Sequence, residues 1–152
     1  MFQTLNTRPS ARMLASIVLV ALVFNLQASA WLNESYALSR FPVPYFQAQL
    51  SFDAAAIKGW YAQLMEMGTL DIYVRPQHID FLFTLSVLLL HVSALLLVSR
   101  LFPVDSRGRR WMVWAALLSA LAPAFDALEN AVSSLMLAKP LDFADGLALL
   151  YS

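Results

Sequence analysis

Asp126-Ala-Leu-Glu129-Asn130 lies inside a run, Trp111 to Ala138, that carries no other charge and otherwise reads as a membrane-crossing helix. Two carboxylates and an amide are expensive in hydrocarbon, so groups of this type turn toward other protein or toward water and mark a site by default. Carboxylates brought together in a dry place can hold or relay a proton or cation, because their repulsion favours protonation of one of them. Beside a histidine they can act as general acid and base on an amphiphile. The plainest use is interhelical glue, with each polar group bonded to a facing helix. The motif locates a site and names no reaction.

The chain that must position these groups has 152 residues, 60% of them hydrophobic and 13% charged. That charged share is about half the value typical of soluble domains, and the mean hydropathy is +0.63. Ten basic and ten acidic residues cancel, so no bulk attraction to nucleic acid is expected. With no cysteine there is no disulfide, thiolate metal site or thiol nucleophile. Nor does a glycine-rich loop cradle a phosphate, and no cofactor is expected.

A helical span needs roughly 20 apolar residues. Three stretches qualify, at about 13–32, 79–100 and 110–134. The tail, 143–152, is too short to cross and reads as a truncated fourth helix or a short interfacial one. The predicted fold is an all-α, polytopic transmembrane helical bundle forming a single domain. Basic residues orient it. Arg8 and Arg12 precede the first span, and Arg100, Arg107, Arg109 and Arg110 fill the link between the second and third against Asp105 alone. This places the N-terminus and the 100–110 loop in the cytoplasm, with segment 33–78 outside. Residues 1–30 also fit a secretory signal peptide: Arg8 and Arg12, an apolar core from Met13 to Phe24, and Ala28-Ser-Ala30 as a cleavage signal.

The outer segment reads as ordered. Phe41-Pro-Val-Pro-Tyr45 should be extended, since proline disfavours helix in the residue before it. Asp53 is a good N-cap, Ala54-Ala-Ala-Ile57 propagates a helix, and Gly68 ends it. Ile57, Trp60, Tyr61, Leu64 and Met67 share a stripe that either lies on the outer leaflet as an interfacial amphipathic helix or packs on the ends of the spans. Thr69 to Arg75 fits a short strand or the lead-in to the second span. Pro76 is expected in the first turn of that helix.

Helical counting brings the polar groups to common depths. Asp80 stands twenty residues from Arg100, and Glu129 and Asn130 stand nineteen and twenty from Arg110. In antiparallel neighbours these would be level, with Asp126 one turn deeper and Arg75 and His78 just above. The predicted site is therefore a polar cluster of Arg75, His78, Asp80, Asp126, Glu129 and Asn130 near the outer interface. A secondary pair, His91 and Ser119, stands roughly 14 Å from the same arginines. Pro123 is expected to kink the third span. His78 and the carboxylates lack the local spacing of a metal motif, so no metal is expected. Expected partners are the lipid bilayer and another copy of the chain or another membrane protein.

Gly68-Thr-Leu-Asp-Ile-Tyr-Val-Arg75, Gln77-His-Ile-Asp80-Phe, Asp126-Ala-Leu-Glu129-Asn130, Met136-Leu-Ala-Lys-Pro140 and Ala148-Leu-Leu-Tyr151-Ser152 together resemble a family of uncharacterised bacterial four-span integral membrane proteins. The resemblance covers residues 50 to 152. It implies that the first span is retained and that a fourth helix continues past Tyr151, and it implies no activity.

Overall fold

A computed structural model of the chain describes residues 4–5 and 8–151, all helix and connecting turns with no strand among them. From Ala11 onward the helices are α1 (Ala11–Ser39), α2 (Tyr45–Gln49), α3 (Ala54–Glu66), α4 (Leu70–Ser99), α5 (Arg107–Leu118), α6 (Leu121–Ala138) and α7 (Gly146–Tyr151). Helices α1 and α4, and residues 107–138 of α5 and α6, are long and apolar enough to cross a membrane.

Three boundaries differ from the sequence expectation, each for a backbone reason. Helix α1 reaches Ser39 rather than residue 32, closed by Ser39 Oγ donating to the Tyr36 carbonyl at 2.6 Å and by Arg40 at φ 56°. Helix α4 begins at Leu70, so residues 69–75 lead into the span and are not a strand. Pro76 consequently falls in the helix interior instead of the first turn, where it leaves the Ile72 carbonyl without its usual donor. The third span breaks at Ser119–Ala120, and Pro123 sits in the first turn of α6 rather than at a mid-helix kink. Having no N–H, it cannot carry the ladder back across that break.

Two compact units form. The first takes the chain up to Gln27 and Phe83–Phe125. Its core is Leu14, Leu96, Val113 and Ala116. Asn25 Nδ2 donates to Ser86 Oγ at 2.9 Å, and Ser86 Oγ donates in turn to the Phe83 carbonyl at 2.6 Å. Such neutral bonds join apolar helices that have no hydrophobic reason to prefer each other over lipid.

The second unit takes Ala28–Leu82 and the chain from Asp126 onward. Here α3 and α7 pack together, and Ile57, Tyr61, Leu64, Tyr73, Met136, Phe143, Ala148 and Tyr151 form the core. Most of the α3 stripe therefore faces protein: Ile57, Tyr61 and Leu64 are buried and Trp60 is half-buried, whereas Met67 at its end is exposed. Asp53 caps α3 by accepting from Ala55 N at 2.9 Å and Ala56 N at 3.2 Å. Lys58 Nζ pairs with Asp145 Oδ1 at 2.6 Å and stands 4.8 Å from the Phe143 ring centre, tying α3 to the start of α7. Large apolar side chains of the outer segment are exposed on and beside α2, at Phe46, Leu50 and Phe52, and at the end of α3, at Met65 and Met67.

Gly68 closes α3 at φ 67°, with Thr69 N donating to the Leu64 carbonyl at 2.8 Å. No atom stands within 4 Å of where a Cβ would be, so only the backbone conformation opposes a side chain there. Gly68→Ala should cost about 1 kcal/mol, read as a lower thermal unfolding midpoint in detergent. An unchanged or raised midpoint would show that the turn relaxes freely.

Candidate functional site

The polar cluster is assembled from α2, α4 and α6, all within the second unit. Asp80 is 4% exposed on α4. Its Oδ2 accepts from the Tyr45 hydroxyl at 2.9 Å. Asp126 of α6 lies within electrostatic reach of Asp80, and Glu129 within reach of both aspartates. The buried Asn130 amide stands beside Asp80, yet its Nδ2 closes no hydrogen bond. One turn on, Ser133 Oγ faces the Tyr61 hydroxyl, again without a closed bond. Helix α6 thus turns Asn130, Ser133 and Met136 inward and Phe125, Leu128 and Leu135 outward, with Asp126 and Glu129 half-buried at the edge.

Tyr45 is held in place by local chain stiffness and ring packing. Pro42 and Pro44 keep the lead-in out of helix, and Tyr36 OH donates to the Val43 carbonyl at 2.7 Å. Tyr36 meets Tyr45 edge to face at 5.3 Å between ring centres, and Phe41 stacks on Tyr73 at 4.4 Å. Burial first, then the Asp80 charge, pushes the Tyr45 hydroxyl far above its ordinary range. It remains a donor at every physiological pH.

Four of the six expected residues, Asp80, Asp126, Glu129 and Asn130, are brought together. Arg75 and His78 are not. Both are exposed, and neither enters an ion pair; among the described residues that contact is Lys58–Asp145. The physical reason is helix phase: Arg75 and His78 lie five and two residues from Asp80, roughly 140° and 200° around α4. His78 instead borders a groove of about 220 Å³ with Gln77 and Ser134. In the first unit His91 is exposed, and Ser119 Oγ donates to its own helix at Ala116 O, 2.9 Å away, so the two do not bond. Among the described residues no His, Asp and Glu group is arranged to hold a metal ion.

Sequence reasoning missed Tyr45. An intramembrane aspartate calls for a donor, but the outer segment offers several tyrosines, and nothing in their spacing selects the one 35 positions upstream. Comparison of the chain with protein-family models, curated proteins and solved structures finds no match.

Tyr45→Phe should destabilise by about 1–3 kcal/mol, because a buried acceptor loses its donor. The thermal midpoint should fall and amide exchange across residues 41–50 should rise. Asp80→Asn, which keeps an acceptor for Tyr45, should leave that exchange close to wild type. Unaltered exchange in Tyr45→Phe would mean that ring packing alone holds the segment.

Proposed function

We propose that this is a multi-pass membrane protein that acts by binding or assembly, with the half-buried edge of the α4–α6 polar cluster as its contact. The observation that carries the reading is Glu129. It sits at the margin of an apolar helix beside Asp126 and Asp80 and has no hydrogen bond or ion pair among the described residues. Like charges at one depth in a low-dielectric setting are unfavourable until a cation or proton joins them. A basic group on a second copy of the chain or on another membrane protein would supply the missing charge. The same crowding supports a second reading, a proton-coupled transport component in which one carboxylate carries the proton. Acid–base chemistry on an amphiphile draws less support, because His78 stands on another face of α4.

A hydrophobic carbodiimide, which modifies protonated carboxyls within membranes, separates these readings. Binding predicts that Glu129 is modified in purified protein and protected in native membranes, where the partner is present. Equal modification in both preparations favours the held proton, and none in either favours simple glue. Glu129→Gln should abolish the label while shifting stability by no more than about 0.5 kcal/mol.

The charge asymmetry supports a cytoplasmic 100–110 loop, and the resemblance to the four-span family supports a bacterial inner membrane. The chain contains no cysteine, so one introduced within residues 103–108 can be read without background. It should be shielded from a membrane-impermeant thiol reagent in intact cells and labelled after lysis. Labelling before lysis would reverse the orientation.

A further inference from the structure

The basic residues near the start of α5 divide into two sets. Arg100 Nη2 donates to the Leu5 and Pro9 carbonyls at 2.9 and 3.1 Å, and buried Arg109 donates through Nη1 to the Phe102 carbonyl at 3.1 Å. These two guanidiniums hold the chain together. Arg107 and Arg110 are exposed, and neither side chain has a hydrogen bond or ion pair among the described residues.

Those two arginines open a groove of about 560 Å³ whose other walls are Trp111, Trp114 and Leu118. The five positions fall at i, i+3, i+4, i+7 and i+11, which is one face of a helix. The groove therefore changes character along α5. Two guanidiniums stand at its N-terminal end and two indoles, 70% and 53% exposed, come next. It finishes on an exposed leucine roughly 16 Å from Arg107. Guanidinium forks match phosphate oxygens bidentately. Indoles favour the headgroup level of a bilayer, with the ring in apolar surroundings and the N–H toward polar ones. A free phosphate would use only the first of these features. An anion joined to an apolar chain would use all of them.

We infer that the Arg107–Arg110–Trp111–Trp114–Leu118 face of α5 is a binding site for an anionic phospholipid, with the phosphate on the two arginines and the acyl chain along Trp114 and Leu118. The site lies in the first unit and does not depend on the acidic cluster or on any partner for it.

The test is native mass spectrometry of the full chain released from detergent containing equal phosphatidylglycerol and phosphatidylcholine. Wild type should retain phosphatidylglycerol preferentially. Each arginine near a membrane surface is worth roughly fivefold in affinity for an anionic lipid, so Arg107→Gln with Arg110→Gln should weaken retention about 30-fold. Arg107→Lys with Arg110→Lys, which keeps the charge and loses the bidentate fork, should retain a preference between wild type and the glutamine pair, which separates a charge effect from misfolding. Arg8→Gln with Arg12→Gln should leave it near wild type, and millimolar glycerol phosphate should not displace the lipid. The proposal is overturned by equal retention of both lipids, by equal losses from either glutamine pair (diffuse charge), by failure of the lysine pair, or by displacement with glycerol phosphate.

Discussion

A carboxyl group on an apolar helix must be met by a donor, and the bond from Tyr45 to Asp80 is how this chain meets that demand. Leaving a buried acceptor unpaired costs more than an ordinary hydrogen bond returns, so the fold has to deliver a hydroxyl to that depth. Delivering it requires the segment after α1 to double back, which Pro42 and Pro44 stiffen and Tyr36, Phe41 and Tyr73 clamp by stacking. The ordered outer segment thus carries the donor for the acid on α4. Its remaining core, from Ile57 to Tyr151, packs on the same frame.

The first unit meets a parallel demand with different donors. Carbonyls in the segments between helices have no intrahelical partner, and arginines serve them: Arg100 reaches Leu5 and Pro9 ahead of α1, and Arg109 reaches Phe102 between α4 and α5. Ser106 adds an N-cap, accepting from Arg109 N at 3.2 Å. Positive charge at this end of the chain therefore has structural work beyond setting orientation. Sequence counting treats all four arginines of the 100–110 loop alike, whereas two are tied to backbone and two are not.

Much of the architecture was legible because the governing signals are local or strongly periodic. The three apolar stretches, the Asp53 cap and the Gly68 stop each depend on a few neighbouring residues. The convergence of Asp80 with Asp126, Glu129 and Asn130 could be anticipated because helix rise converts sequence distance into depth. Angular position was harder to read. Depth alone grouped Arg75 and His78 with the carboxylates, although the rotation from Asp80 turns both away. The α3 stripe was ambiguous for another reason: a face that packs on protein and a face that lies on lipid carry the same residues. The Ser119–Ala120 break escaped notice because Pro123 is as consistent with starting a helix as with bending one. Tyr45 required a contact across 35 residues, which no local pattern encodes.

The division of the third span bears on how the protein enters its membrane. Helix α5 has 12 residues and α6 has 18, roughly 18 and 27 Å of rise. Helix α5 alone falls well short of a hydrocarbon layer of about 30 Å, and α6 alone only just matches it. A crossing divided in this way presents two short apolar rods in place of one long one. The Ser119 carbonyl, which Pro123 leaves without its usual donor, then needs a partner from protein before lipid surrounds it.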